Sequence, residues 1–312
     1  MTLPEDDAPD AGAASSLKRL SAIFHYAREG ILVTDAAGRI VDANPAFTRI
    51  TGYSRAEVLG QTPALLQSGR QGKEFYQAMW NTLRDCGSWE GEVWNRRRNG
   101  EVYIESLSVQ AVCDADGAVR SYVGFFSDIT AQKAHHDQLE RIANYDALTG
   151  LPNRRLLADR LRQAVALAAR TASMLAVAYL DLDGFKAVND RFGHACGDEL
   201  LIRVARRMTG AVRSCDAVAR LGGDEFVVLL QNLASRDDCS RLLDRLRAAC
   251  ADAVGTGAMQ ARVSASIGVA FFPAHGHVDA DVLLQRADQA MYQAKLDGKD
   301  CWRVYDDGGA AS

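Results

Sequence analysis

Hydrophobic and polar positions follow two different patterns in the two halves of the chain. Between residues 17 and 128, short apolar stretches with strand spacing are separated by turns such as the Asn-Gly pair at 99–100. Hairpins of this kind build an antiparallel sheet with one face open to a helix or a ligand. Further on, an uninterrupted apolar run at 174–180 favours a strand that is buried on both faces. We therefore predict an α+β domain followed by an α/β domain.

The sequence of the first domain predicts where its helices and strands begin and end. Helical spacing of Leu17, Leu20 and Ile23 predicts a helix, and Asn44-Pro45 begins a short helix that ends at Gly52. The other predicted elements are strands at 30–34 and 39–42, a helix at 73–83, and strands at 89–97, 101–113 and 119–126.

The segments outside the two domains differ in character. Residues 1–16 are acidic, Ala-rich and lack apolar periodicity, so we predict that they are disordered, and residues 307–312 form a short tail. Residues 129–145 contain neither Gly nor Pro and predict a helical linker. Five linker residues are spaced alternately three and four positions apart, as in the seam of a coiled coil, although two of them are polar. They are Ile129, Gln132, His136, Leu139 and Ala143.

A short hairpin carries the first candidate chemistry. Two apolar strands at 217–221 and 226–230 flank Gly222-Gly223, where the turn needs positive φ. Asp224 and Glu225 follow, and two adjacent carboxylates on a bare turn repel each other. A divalent cation would compensate for this repulsion, since oxygen ligands suit magnesium. A solvated acidic hairpin remains the alternative at this point.

A second group of polar residues follows the long apolar strand. Asp181 and Asp183 end that strand and point to the same side by alternation. The next residues predict a turn that feeds a helix, whose backbone N–H groups suit phosphates. His194 and Asp198 then open another helix. Asp181 alone would also be a reasonable helix cap.

Composition narrows the class of protein. The net charge of −4 gives no indication of a nucleic-acid surface. No apolar run reaches 18 residues and no signal-peptide pattern opens the chain, so we expect no membrane partner and a cytoplasmic location. The seven cysteines are scattered without a Cys-x-x-Cys pair, which argues against a zinc site and against a disulfide framework.

The second domain resembles the GGDEF family of diguanylate cyclases. All five signature residues are present at 222–226, and the family's opening motif, DALTGLPNR, stands at 146–154. The pattern D-x-D-x-F-K-x-x-N-D-x-x-G-H-x-x-G-D at 181–198 extends the resemblance, which reaches about Trp302. It implies a domain at 146–306 with a central mixed sheet flanked by helices, as in palm or nucleotidyl-cyclase folds. It also implies Mg²⁺ or Mn²⁺ and condensation of two GTP to cyclic di-GMP.

The resemblance assigns roles to individual residues. The implied metal ligands are Asp181, Leu182, Asp224 and Glu225, and the implied catalytic residues are Asp224, Glu225 and Lys186, which faces the triphosphate. The implied substrate contacts are Phe185, His194, the guanine readers Asn189 and Asp198, and Lys295 with Lys299 at the terminal phosphates. The family often has Arg at the position of Lys299, and Lys lacks the bidentate fork. Asp146 is expected to pair with Arg220 as a structural contact.

A product-inhibition site is also implied. Arg213 and Asp216 form the Arg-x-x-Asp motif five residues before the Gly-Gly turn. Its guanidinium would pair with phosphate or guanine of cyclic di-GMP. A second arginine is normally supplied downstream, and the order of preference among Arg241, Arg245 and Arg247 stays open.

The first domain resembles a PAS sensor domain over residues 17–128. The segments that carry the resemblance are DANPAF at 42–47, ITGY at 50–53, EVLG at 57–60 and DIT at 128–130. Further residues resemble the flavin-binding redox PAS domains, which implies FAD held by Trp80 and Asn95. A cofactor-free PAS domain stays open as the alternative. Haem is disfavoured because residues 61–83 contain no His, and Pro63 replaces the adduct-forming cysteine of blue-light domains.

Three readings of the activity follow from the resemblance. The leading one is an enzyme that works as a homodimer, because one chain carries one set of site residues and the product needs two guanylates. The second is a non-catalytic module that binds cyclic di-GMP or a protein, which the intact motifs disfavour. A bifunctional synthase and hydrolase is not expected, since these 312 residues leave no room for another catalytic domain.

Overall fold

We describe the protein from a computed structural model over residues 10–251, 263–273 and 278–306. The chain divides into two compact units between Asp137 and Gln138, and each is described by itself. None of the helices in these ranges has the length and apolar character needed to cross a membrane.

The first unit is built around an antiparallel sheet. Its helices are α1 (Asp10–Tyr26), α2 (Pro45–Thr51), α3 (Arg55–Val58) and α4 (Lys73–Cys86), with a 3₁₀ turn at Pro63–Leu66, and the division at Asp137 falls within α5 (Thr130–Asn144). Its strands are β1 (Gly30–Asp35), β2 (Ile40–Ala43), β3 (Ser88–Arg96), β4 (Val102–Cys113) and β5 (Val119–Asp128). They pair in the order β2-β1-β5-β4-β3, with every neighbour antiparallel. The expected five-stranded antiparallel sheet is therefore confirmed.

Asn44 fixes the start of α2, as its position before a proline predicts. Its side chain accepts hydrogen bonds from the backbone N–H groups of Phe47 and Ile31, both at 2.9 Å. Gly52 ends the helix in the left-handed conformation, with φ 77°, where glycine carries no steric penalty. Phe47 is fully buried in the core of this unit.

The prediction of disorder at 1–16 is wrong for residues 10–16, which form the first turns of α1. The physical reason is local composition, since this stretch is rich in Ala, the strongest helix former. Residues 1–9 lie outside the described part of the chain, as does the predicted tail at 307–312.

The second unit has a mixed sheet between two layers of helices. Its helices are α6 (Arg154–Thr171), α7 (Phe185–Phe192), α8 (His194–Ala211), α9 (Arg236–Cys250) and α10 (Ala280–Leu296). Its strands are β6 (Met174–Asp183), β7 (Ala217–Gly222), β8 (Glu225–Leu233), β9 (Ser264–Phe272) and β10 (Trp302–Val304). The order is β10-β9-β6-β8-β7, and the β10–β9 pair is parallel while the others are antiparallel.

The two faces of this sheet bury two separate cores. Even positions of β6, such as Ala178 and Leu180, belong to the core beneath α8 and α9. Odd positions, such as Val177 and Tyr179, belong to the core beneath α6 and α10. This alternation follows from the period of two in a strand. It places Asp181, at the end of β6, on the face that α10 covers.

Candidate active site

The β7–β8 hairpin is held in one conformation by an arginine. Gly222 and Gly223 have φ values of 148° and 52°, as the sequence predicts for this turn. Arg220 donates from Nε and Nη2 to the carbonyl oxygen of Gly223, at 3.0 and 2.7 Å. Its Nη1 lies 2.9 Å from Oδ1 of Asp146, so the expected Asp146–Arg220 pair is present. The turn that carries Asp224 is thereby anchored to the start of the second unit.

Asp146 is held in its charged form by the same contacts. Burial by itself raises the pKa of this carboxyl, but hydrogen bonds from Thr149 and then from Arg220 outweigh it and lower the pKa below its ordinary value. A permanently charged Asp146 keeps Arg220 in place.

Asp224 and Asp181 lie close to each other where β6 ends and β8 begins. The backbone N–H of Leu182 donates to the carbonyl oxygen of Asp224 at 3.3 Å. Burial raises the pKa of Asp224, and the negative charge of Asp181 raises it further. Lys295, on α10, lies 2.7 Å from Asp181 through Nζ and Oδ2, and its charge partly offsets this repulsion. Two half-buried carboxylates and one ammonium group therefore meet at this edge of the sheet.

These donors fit a hard divalent cation. Magnesium in nucleotide sites is commonly bound through one or two carboxylates together with substrate phosphates, and seldom by an all-protein cage. No three His, Cys, Asp or Glu side chains within the described ranges converge as a metal site. Asp181 and Asp224 supply two carboxylates, and the backbone carbonyl of Leu182 is the third oxygen that the sequence predicts.

Glu225 does not join the two aspartates in such a group. Its neighbour is Tyr179, with which it shares a hydrogen bond; burial raises the pKa of Tyr179 to about 12, and the charges of Glu225 and Asp288 add to the effect. Glu225 is the residue of β8 that pairs directly with Asp181 of β6, so both side chains lie on the face of the sheet that α10 covers. The implied role of Glu225 as a metal ligand stays a prediction.

Asp183 serves a different purpose from Asp181. Its carboxylate accepts hydrogen bonds from the hydroxyl groups of Ser264 and Ser266, both at 2.8 Å, and from the backbone N–H of Asp300 at 3.2 Å. It thus ties β6 to β9 and to the turn after α10, which also carries Lys299 with φ 66°. The sequence pattern had no signal for the two serines, which lie more than 80 positions away.

The predicted guanine readers lie at the junction of α7 and α8. Oδ1 of Asn189 is buried and has no hydrogen-bond partner among the described residues. The position of Gly197 is what admits it, since a Cβ there would lie 1.9 Å from Oδ1. An unpaired buried acceptor is costly unless a ligand donates to it. Asp198, the next residue of α8, is exposed.

The other predicted substrate contacts differ in how exposed their side chains are. His194 and Lys186 are exposed at the first turns of α8 and α7. Phe185 is buried in the core beneath α8, so its side chain packs within the fold.

The predicted inhibition motif has a defined local structure. The carboxylate of Asp216 accepts hydrogen bonds from the backbone N–H groups of Arg213 (2.9 Å) and Gln231 (3.0 Å), while the Arg213 residue is exposed. Arg241 pairs with Asp238 and Arg247 pairs with Asp300. The third candidate, Arg245, lines a surface groove with Gly210 and Ala211, at the end of the helix that precedes Arg213.

The first unit contains a separate cavity of about 320 Å³. Both predicted flavin contacts line it, and so does Pro63. Trp80 is 37% exposed and packs edge to face against Tyr122, with 5.4 Å between ring centroids. Asn95 is buried and donates from Nδ2 to Glu105 at 2.8 Å. Trp80 therefore lies at the opening of the cavity, and Asn95 lies inside it.

Comparison with known proteins agrees with this division of the chain. Residues 143–301 match the family model described as diguanylate cyclase, GGDEF domain, and residues 28–131 match a PAS domain model. The bifunctional diguanylate cyclase/cyclic di-GMP phosphodiesterase MucR of Pseudomonas aeruginosa is 45% identical over 162 residues, which are 52% of this chain and 23% of MucR. The probable diguanylate cyclase DgcE of Escherichia coli is 32% identical over 301 residues, 95% of this chain and 27% of DgcE.

The chain is also similar to a solved structure of a GGDEF domain. A truncated form of TpbB from P. aeruginosa that comprises only the GGDEF domain is 41% identical, with a TM-score of 0.50, and the match covers 52% of this chain and 94% of that one. The chain spans about a quarter of the length of MucR and of DgcE.

Proposed function

The chain belongs to the GGDEF family, and we propose that it is a diguanylate cyclase that condenses two GTP molecules to cyclic di-GMP and two pyrophosphates. The observation that carries the proposal is the meeting of Asp181, Asp224 and Lys295 at one edge of the sheet. Carboxylates for a divalent cation and an ammonium group for phosphate are the parts that phosphoryl transfer needs. The unpaired oxygen of Asn189 supplies an acceptor for the N–H edge of guanine.

The residues of this chain would divide the work as follows. Asp181 and Asp224 hold Mg²⁺, which, when bound, withdraws charge from the phosphates and lowers the pKa of the attacking hydroxyl. Lys295 exchanges its ion pair with Asp181 for the terminal phosphates, together with Lys299 and Lys186. Asn189 and Asp198 orient guanine, so that the α-phosphate lies at the carboxylate edge.

The bond changes are balanced within a pair of substrates. Each 3′-hydroxyl oxygen bonds to the other nucleotide's α-phosphorus, and the bond from that phosphorus to the bridging oxygen breaks, so pyrophosphate leaves. The hydroxyl proton needs an acceptor on the protein. Glu225 suits this role, because it lies opposite Asp181 at the same edge of the sheet.

The reaction requires two chains. Each chain carries one Asp181, one Asn189 and one Gly-Gly-Asp-Glu-Phe turn, whereas each hydroxyl must reach the phosphate of another nucleotide. We propose a homodimer in which α5 aligns the two sites. The support is the surface of α5, which buries none of its residues and leaves Leu139 and Ile142 52% and 66% exposed.

Regulation would act at two further places. We propose that Arg213 and Arg245 together bind cyclic di-GMP as an inhibitor, since both are arginines at the α8 end and neither is in an ion pair with Asp238 or Asp300. We also propose that the PAS cavity binds FAD through its isoalloxazine ring. The support is that Trp80 and Asn95, an aromatic ring and an amide, line one cavity of ligand size.

The test of the main proposal is a comparison of two aspartate variants. Purified protein with GTP and Mg²⁺ should release cyclic di-GMP and pyrophosphate. Asp224→Ala should lower turnover by about 10³-fold or more, because it removes one of two metal carboxylates. Asp159→Ala, on the exposed face of α6, is the matched control and should keep full activity.

Two results would contradict the assignment. Equal turnover of the Asp224→Ala and wild-type proteins would remove Asp224 from the metal site. Wild-type protein that binds cyclic di-GMP but makes none from GTP would be the non-catalytic module instead.

A further inference from the structure

The cavity of the first unit has one charged residue in its lining. Most of its walls are apolar, contributed by residues such as Leu32, Met79 and Phe126, and no Lys, Arg or His is among the lining residues. Glu105 on β4 is the exception. Its residue surface is only 2% exposed, so Glu105 borders the cavity while its carboxyl group is largely shielded from bulk water.

The hydrogen bonds of Glu105 come from two neutral donors. Nδ2 of Asn95 donates to Oε1 and the hydroxyl of Tyr103 donates to Oε2, both at 2.8 Å. A carboxylate has room for about four donors, so two of its acceptor positions remain. The buried carboxyl is therefore only half satisfied by the protein atoms described.

Arg97 lies near this group but forms its ion pairs with other carboxylates. The guanidinium of Arg97 stacks on the ring of Tyr103, with 4.3 Å to the centroid, and forms ion pairs with Asp128 and Glu101. Within the described residues no ion pair joins Arg97 to Glu105. Burial raises the pKa of Glu105 to about 7, although the hydrogen bonds from Tyr103 and Asn95 act in the opposite direction.

A purely structural role accounts for part of this arrangement only. Glu105 fixes the Asn95 amide and the Tyr103 hydroxyl, but an apolar residue of similar size would fill the same space without the cost of burying a carboxyl group. That cost is recovered when a molecule in the cavity donates N–H groups to the remaining acceptor positions. A carboxylate or phosphate in the same place would meet Glu105 without a cationic side chain in the lining to balance it.

We propose that this cavity is a binding site for a small, largely apolar molecule that is neutral or cationic and donates N–H groups to Glu105, and that it rejects carboxylates and phosphates. The ring of an isoalloxazine carries such an N–H group and belongs to this class. The proposal does not depend on a flavin being the ligand, nor on the cyclase activity of the second unit.

Three fragments with one ring and different charges test it. Benzamidine is cationic, benzamide is neutral with N–H donors, and benzoate is an anion of nearly the same shape. Ligand-observed NMR titration of the full-length protein at pH 8 should give affinities in the order benzamidine, benzamide, benzoate. We expect benzoate to bind at least about tenfold more weakly than benzamide, the ratio for one charge-assisted hydrogen bond.

Glu105→Gln should bring the three affinities to within about threefold, because it removes the charge and keeps the side-chain shape. Glu101→Gln is the matched control, since Glu101 is exposed, and it should keep the wild-type order. The wild-type order needs no variant, so the proposal stays testable if Glu105→Gln fails to fold.

Three results would overturn the proposal: benzoate that binds as well as benzamide, an unchanged order in Glu105→Gln, or no binding of any fragment at millimolar concentrations. Failure of FAD to bind, with the fragment order as expected, would reject the flavin and leave the Glu105 site in place. FAD binding together with equal affinities for the three fragments would support the flavin and reject the Glu105 site.

Discussion

Replacement of Glu105 by glutamine should change how the stability of the first unit depends on pH. In the folded protein burial raises the pKa of Glu105 to about 7 from an ordinary value of 4.5. Between these two values the folded chain holds a proton that the unfolded chain has released. The contribution of Glu105 to stability is therefore full below pH 4.5 and is lost as the pH rises towards 7, which is the expected sign for an acid with a raised pKa.

The size of the effect follows from the shift. A difference of roughly 2.5 pKa units corresponds to about 3 kcal/mol in the free energy of unfolding over the whole range. Between pH 5 and pH 8, where a protein is convenient to handle, most of this difference remains, about 2 to 3 kcal/mol. Glutamine does not titrate, so the difference in unfolding free energy between Glu105→Gln and wild type should move in favour of the variant by that amount.

The assay is urea unfolding of both full-length proteins at pH 5, 6, 7 and 8. Tryptophan fluorescence reports mainly on the first unit, which contains Trp80, Trp89 and Trp94, whereas the second unit contains Trp302. The other titrating groups are common to both proteins and cancel in the difference. A difference that stays constant within about 0.5 kcal/mol from pH 5 to pH 8 would refute the reasoning, because Glu105 would then titrate alike in both states.

Three further predictions concern the proposed activity and regulation. One residue inserted between Thr130 and Leu139 should turn the helix by about 100° and reduce cyclic di-GMP synthesis strongly, whereas seven inserted residues should be far milder; equal rates in an assay of GTP turnover would argue against alignment by α5. Arg213→Ala and Arg245→Ala should each weaken inhibition by added cyclic di-GMP by about tenfold and leave initial rates unchanged; wild type that is insensitive to its product would remove this site. Protein isolated from cells should show a flavin absorption spectrum that Trp80→Ala diminishes; colourless protein that takes up no added FAD would favour a cofactor-free PAS domain.

The sequence by itself determined the local structure and which residues are candidates for the site. Strand alternation and turn glycines predicted the three long strands of the first unit, and the Gly222-Gly223 turn has the positive φ values that its residues require. These are local properties, because backbone sterics and the burial of one strand face act over a few residues. The family resemblance added the Asp146–Arg220 pair, which the sequence pattern has no means to reveal.

Only the tertiary structure decided which polar groups meet and which are buried. Asp181 and Asp183 end the same strand, yet one pairs with Lys295 and the other with Ser264 and Ser266, and these contacts depend on how α10 and β9 pack on the sheet. Glu105 is one polar residue in an alternating strand, and its pKa is raised because the fold closes the cavity around it. Desolvation depends on every element that surrounds a group, and no short stretch of sequence contains that information.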